Sequence, residues 1–297
     1  MILKLNKELK QKDFKNEKEL QNFFENNIET ILGYKFIDTE FIVGDFRIDS
    51  LAFDEESKSF RIIEYKNVKN HSLVDQGYTY LKLMLERKAD FVLQYNIKTK
   101  SSLTTKDIDW SQSRIIFVSP IYTVYQLNAT DLKNIPIDLV KVTRYDEDII
   151  EIDFIKKTSN VKVQDIQMES IQNDVNKEII VYTEEDHLSK VSYDIKNIYE
   201  KLKNIILELD DIDLEAKKLY IAFKGSRNIT DIEFHKNKLK VYINMKKGSL
   251  SDPLKITKDI SNTGHWGNGD YCVTINSEDE IDNIIPLIKQ SLKVNKK

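Results

Sequence analysis

"RIIEYKNVKNHSLVDQGYTYLK", residues 61–82, decides how the first half of this chain is read. Ile62 and Ile63 open an aliphatic strand that ends in opposite charges, Glu64 and Lys66, two positions apart. Side chains alternate along a strand, so Glu64 and Lys66 share one face and Tyr65 takes the other. The spacing then predicts a helix from about Leu73 to Glu86, with Gln76 and Tyr80 one turn apart on one face. The acid-x-lysine triplet says little alone. The chain is 32% charged, and Glu8–Lys10, Glu86–Lys88, Asp194–Lys196 and Glu215–Lys217 repeat it, mostly as solvated helix faces.

Working outward, Leu20, Phe23, Phe24, Ile28 and Ile31 predict a first helix over about 17–31, with Gly33 as its stop. Strands follow in "YKFIDTEFIV", "FRIDSLAFD" and "SFRIIEYKN", turned by Gly44-Asp45 and "DEESKS". After the 73–86 helix, "DFVLQY" and "RIIFVS" read as strands. A helical segment runs from Pro120 to about Leu132, and "IDLVKVTRY" and "IIEIDFI" read as a hairpin. Residues 156–177 are polar and without sustained periodicity, which reads as a linker. The domains are thus 1–157 and 181–297, joined by 158–180.

In the second domain "HLSKVSYDIKNIYEKLKNIILEL" reads as one amphipathic helix, with Leu188, Val191, Ile195, Ile198, Leu202, Ile205 and Leu209 as its stripe. Strands "KLYIAFK", "ITDIEFH" and "KLKVYINM" follow, then a short helix after Pro253, the strand "YCVTI", and a last helix behind a Ser277–Glu280 capping box. Strand and helix mix in both halves, which argues for two α+β or α/β domains.

The 297 residues carry a net charge of -4 and a pI of about 5.8, so a basic coat for nucleic acid is not the design. A local basic lining remains compatible. Cys272 is the single cysteine, which excludes an internal disulfide and a cysteine-based zinc site and reads as an inert buried thiol. No run approaches the roughly 18–20 apolar residues of a membrane span, and the N-terminus lacks an apolar signal core. A soluble cytoplasmic protein is expected, with no membrane partner.

Context raises the weight of Glu64 and Lys66. Asp49 sits between Ile48 and Ser50 in the preceding strand, where an unpartnered carboxylate is costly. If the hairpin register allows, Asp49 and Glu64 lie side by side, and two such carboxylates repel unless a divalent cation lies between them. Lys66 would stand about 7 Å further along the same face. Two carboxylates holding Mg²⁺ or Mn²⁺ beside a lysine are the parts that hydrolyse a phosphodiester.

Asp49 followed by Glu64-x-Lys66 on the next strand resembles the signature of the PD-(D/E)xK nuclease superfamily. Gln76 and Tyr80 match the Q-x-x-x-Y addition of its RecB-like branch. "FRIDSLAFD", "IIEYKN" and "VDQGYTYL" look like the catalytic domain of NucS-type endonucleases. The likeness covers roughly residues 10–155. It implies a restriction-endonuclease-like mixed sheet flanked by helices, with a second, smaller α+β domain behind it. It further implies DNA as substrate, Asp49 and Glu64 as metal ligands, and Lys66 and Gln76 as catalytic residues. A dimer is also implied.

Other positions carry two readings. In that family an acid on the first helix often reaches the site, which would be Glu17; equally, Glu17 sits in the first turn behind an Asn16–Glu19 cap. Arg47 reads as a phosphate contact or as a partner that keeps Asp49 ionised. Tyr80 reads as a substrate contact or as core, and Gln76 could simply solvate a helix start. Lys69, Lys82, Arg87, Lys88, Lys98, Lys100 and Lys106 could track a DNA backbone or form a solvated surface.

The segment from about Val181 resembles a C-terminal domain found behind such nucleases and sometimes labelled "predicted transport protein"; the lack of a membrane segment argues against that label. Its Gly264–Asp270 loop, with His265 and Trp266, reads as a glycine turn, or as a contact surface together with Lys224. His187 and His235 read as structural. The reading is a Mg²⁺-dependent DNA endonuclease, in repair or in defence against foreign DNA. The alternatives are a DNA-binding module that does not cut, and a scaffold that meets a protein partner through residues 181–297.

Overall fold

The computed structural model describes residues 3–4, 7–67, 73–159, 161, 170–225, 227–263 and 267–296. The chain divides into two compact units, Met1–Val181 and Tyr182–Lys297.

The first unit begins with three short strands, β1 (Leu3–Lys4), β2 (Lys7–Glu8) and β3 (Gln11–Lys12). Helices α1 (Glu17–Glu25) and α2 (Ile28–Leu32) follow, then the meander β4 (Lys35–Val43), β5 (Phe46–Asp54) and β6 (Ser59–Tyr65). Helices α3 (Leu73–Glu86) and α4 (Lys88–Thr99) lead to β7 (Arg114–Ser119), and α5 (Val124–Thr130) leads to the hairpin of β8 (Ile137–Tyr145) and β9 (Ile150–Phe154). Helix α6 (Ser170–Glu178) closes the unit.

The main sheet is mixed, in the order β3-β8-β7-β6-β5-β4, with β9 also on β8. β4, β5 and β6 are antiparallel, whereas β6, β7 and β8 are parallel. Alternation along β6 divides the apolar residues between two cores. Ile62 packs with Leu81, Phe91 and Leu139 on one side; Ile63 and Tyr65 pack with Leu20 and Phe24 of α1 on the other. Helices thus cover both faces, as two-faced burial of parallel strands requires.

Several elements differ from the sequence reading. "DFVLQY" is helical, inside α4, and buries Phe91, Val92 and Tyr95 while leaving Leu93 and Ile97 exposed. The first helix breaks at Asn26–Asn27. Residues 170–178, placed in the linker, are the helix α6, with Val175 and Ile179 in the first core. Gly33 and Gly44 take φ of 72° and 59° as stop and turn.

The second unit is a six-stranded antiparallel sheet flanked by helices. Its elements are α7 (Glu184–Leu188), α8 (Tyr193–Leu207), β10 (Asp213–Ala216), β11 (Tyr220–Lys224), β12 (Asn228–His235), β13 (Lys238–Ile243), β14 (Lys258–Asp259), β15 (Tyr271–Ile275) and α9 (Ile281–Asn295). The strand order is β10-β11-β12-β13-β15-β14. The expected single helix breaks after Leu188, and Ser192 caps α8 by accepting from the Ile195 N–H. The segment after Pro253 forms no helix, and β10 was not anticipated.

Cys272 is buried, which pushes its thiol up to about 11 and keeps it inert. His187 Nε2 meets the Lys217 carbonyl at 2.7 Å, a structural role. Gly264, His265 and Trp266 lie outside the described residues. A Cβ on Gly267 would overlap the Tyr242 ring, and Gly269 has φ of 90°, so both glycines are required by the backbone path. Among the described residues no helix is long and apolar enough to cross a membrane.

Candidate active site

The β5–β6 register pairs Ser50 with Ile63, which sets Asp49 opposite Glu64 one residue on. Each acid ties down the other strand. The Asp49 N–H donates to Glu64 Oε1 at 3.2 Å, and the Tyr65 N–H donates to Asp49 Oδ2 at 3.0 Å. Glu64 Oε2 accepts from Gln76 Nε2 at 3.2 Å and faces Lys66 Nζ at 3.5 Å. Asp49 Oδ1 takes no hydrogen bond among the described residues.

Glu64 is only 2% exposed. Burial, then the charge of Asp49, pushes its carboxyl up to about 8 against the pull of Lys66. Burial also raises Asp49, opposed by the Tyr65 amide and Lys66. The pair is therefore a strained site for two negative charges.

Gln76 reaches Glu64 because α3 lies close on the sheet. A Cβ on Gly77 would stand 3.0 Å from Ile137 Cδ1 and 3.2 Å from Ile115 Cγ2, so a side chain there would push the helix outward. The Tyr80 hydroxyl donates to the Arg47 carbonyl at 3.1 Å, and its ring meets Phe46 edge-on. Tyr80 is thus packed and fixes the hairpin backbone. Arg47 pairs through Nε with Glu40 at 2.9 Å, not with Asp49, and its side chain is 67% exposed. Lys69 lies outside the described residues. Of the basic run, Lys82 pairs with Glu86 and Lys88 with Glu178.

Helix α1 braces the strands from the opposite face. Glu17 Oε1 accepts from the Asn67 N–H at 3.2 Å, just past Lys66. Asn16 Oδ1 caps α1 by accepting from the Glu19 N–H at 2.9 Å, while the Glu19 carboxylate turns to the Lys15 N–H and Arg144. Gln21 Nε2 donates to the Asp49 carbonyl at 2.9 Å and to Glu25 Oε1 at 2.9 Å. Ser50 Oγ bonds Glu25 and lies 3.1 Å from the Tyr65 hydroxyl. Sequence reasoning missed Gln21 and Asn67. The signal for Gln21 was a polar residue inside the buried stripe of Leu20 and Phe24.

Among the described residues no group of three or more His, Cys, Asp or Glu is arranged to hold a metal ion. The site offers a pair of carboxylates, one lysine and one amide.

Fold and site together define a two-unit protein, a mixed α/β domain carrying a paired-carboxylate site followed by a smaller α+β domain. The chain is 48% identical over 289 residues to an "Uncharacterized protein" of Haemophilus influenzae, covering 96% of each, and it belongs to that protein's family. Residues 184–295 match the family model "Domain of unknown function (DUF5655)". Among solved structures, "Structure of EndoMS-dsDNA2 complex" is similar over 38% of this chain and 39% of that one. The identity there is 20% and the TM-score 0.27, too slight a likeness to bear on function.

Proposed function

We propose that this protein is a metal-dependent deoxyribonuclease whose first unit has a restriction-endonuclease-like fold with a PD-(D/E)xK site. The observation that supports this is the meeting of Asp49 and Glu64 across β5 and β6, with Lys66 and Gln76 gathered on Glu64 Oε2. Burial and the nearby Asp49 push the Glu64 carboxyl up to about 8, so a divalent cation between the two acids would displace the Glu64 proton. Carboxylate oxygens suit Mg²⁺ or Mn²⁺, and Mg²⁺ commonly takes one or two carboxylates and leaves the rest of its shell to water and phosphate. A pair without a third acid therefore fits.

A bound divalent ion would neutralise charge at the phosphate and lower the pKa of a water molecule. Asp49 Oδ1, which accepts no hydrogen bond among the described residues, and Glu64 would supply the oxygens that hold it. Gln76 fixes the rotation of Glu64, and Lys66 places a positive charge where the phosphate gains negative charge. Glu17 holds the backbone just beyond Lys66 through Asn67, and the exposed Arg47 is a phosphate contact. DNA is the partner of this site. A homodimer, and a protein partner for the second unit, belong to the same proposal, as does a role in repair or defence.

The competing reading is a DNA-binding or protein-interaction module that does not cut, favoured by the lack of a third acidic ligand among the described residues. Incubating single-stranded, duplex and branched DNA with the protein, with and without Mg²⁺ or Mn²⁺, separates the two. Metal-dependent cleavage that Asp49→Asn abolishes supports the nuclease; DNA binding without cleavage in any metal supports the module.

A further inference from the structure

The parallel register of β6, β7 and β8 creates a row that leads away from the carboxylate pair. Tyr65 pairs with Val118, and the Lys66 N–H continues the ladder to the Val118 carbonyl, so Lys66 stands beside Ser119. Ser119 in turn pairs with Lys141 of β8. Leu139 shares a core with Ile62, so Lys141 and Lys66 project from the same sheet face. Two strand spacings separate them, about 10 Å between their Cα atoms.

A groove of about 670 Å³ opens along this row. Asn67, directly after Lys66, lines its near end; Lys141, Ile121 and Tyr122 line it further on. Two other cations of the wall are already engaged, Lys12 by Asp146 and Arg144 by Glu19. Asp13 and Asp153 also line the groove. Yet Lys141, a half-buried residue whose register neighbour on β9 is Asp153, meets no hydrogen-bond acceptor or carboxylate through its ammonium among the described residues. An ammonium in a groove wall with no carboxylate paired to it favours an anionic ligand. Ile121, 44% exposed, adds an apolar surface at the same wall.

We propose that this groove is a second phosphate subsite: Lys141 grips a non-scissile phosphate of the strand whose cleaved phosphodiester lies at Lys66, and Ile121 and Tyr122 pack against the intervening sugar. This rests on the nuclease reading. Continuity with the carboxylate site selects the ligand: a nucleic-acid strand whose scissile phosphate lies at Lys66 carries further phosphates along the same row, and Lys141 stands where one of them would pass.

The test uses the full chain, a fluorescein-labelled oligonucleotide in EDTA for affinity, and the same oligonucleotide with Mn²⁺ for cleavage. Lys141→Ala is expected to weaken binding roughly tenfold. It should also flatten the log–log salt dependence by about 0.7 to 0.9, the share of one phosphate contact. KM should rise with kcat unchanged, Lys141→Arg should keep near-normal affinity, and Lys141→Glu should bind worst. Hydrolysis of bis(p-nitrophenyl) phosphate, which has no second phosphate, should be unchanged in Lys141→Ala. That control, with Lys141→Arg, separates the subsite from a folding defect. A Lys141→Ala protein with wild-type affinity and salt slope that still cuts DNA would overturn the subsite and leave the nuclease standing. Wild-type protein that neither binds nor cuts the oligonucleotide would overturn both.

Discussion

Replacing Glu64 with glutamine should make the metal-free protein more stable at alkaline pH. An isolated glutamate titrates near 4.5, and in the fold Glu64 is pushed up to about 8 by burial and by Asp49. The protonated form therefore stabilises the fold. That contribution is complete below about pH 4.5 and is lost as the pH climbs through about 8. The interval spans roughly 3.5 pH units, and at about 1.4 kcal/mol for each it bounds the loss at about 5 kcal/mol. Side-chain rearrangement and entering water lower this, and we expect a difference of about 2–4 kcal/mol between the variant and wild type at pH 9 relative to pH 5. In Glu64→Gln the side-chain oxygen still accepts from the Asp49 N–H, and Gln76 can present its own oxygen to the new amide. Trp110 is buried in the first unit, so a Trp266→Phe background gives urea melts in EDTA that report that unit alone. The variant should lose less stability than wild type across this range, and Mn²⁺ should rescue wild type at pH 9 but not the variant. Parallel pH profiles would refute the reasoning.

Asp54 and Arg61 form a 2.7 Å ion pair with both side chains about 5% exposed or less, and Ser57, Ser59 and the Gln112 carbonyl complete its hydrogen bonds. Asp54→Asn should cost about 3–5 kcal/mol, read by the same Trp110 melts, while molecules that remain folded bind Mn²⁺ as before. Gln21→Leu removes the donor to the Asp49 carbonyl and should cost about 1–3 kcal/mol. It should also weaken Mn²⁺ binding in calorimetry, because the strand carrying Asp49 loses its brace.

The parts that sequence made legible are those with local chemistry. The helix Leu73–Glu86, the Ser277–Glu280 capping box and the strands carrying Asp49 and Glu64 follow from spacing and charge. α4 was misread because a short run of apolar residues looks alike in a strand and a buried helix. Its buried residues Phe91, Val92 and Tyr95 have helical spacing, but the exposed Leu93 fills the gap between them. α6 was hidden for the opposite reason. Ile171, Val175 and Ile179 repeat every four residues, but the polar residues between them swamp the signal. In the site, the Asp49–Glu64 meeting depended on a register that sequence left open. Whether Arg47 faced Asp49 or Glu40 depended on the neighbouring strand β4, which the local motif does not include.

The division of labour among Asp49, Glu64 and Lys66 tests the account most directly. Carboxylate oxygens can hold Mn²⁺ and an ammonium has no lone pair to give, so calorimetric titration and a DNA cleavage assay on the same three variants should part company. Asp49→Ala and Glu64→Ala should lose both metal binding and cleavage. Lys66→Ala should keep the metal, bound as tightly or more so, and lose cleavage by orders of magnitude. A Lys66→Ala protein that cuts DNA at the wild-type rate, or an Asp49→Ala protein that binds Mn²⁺ undiminished, would contradict the assignment of this site.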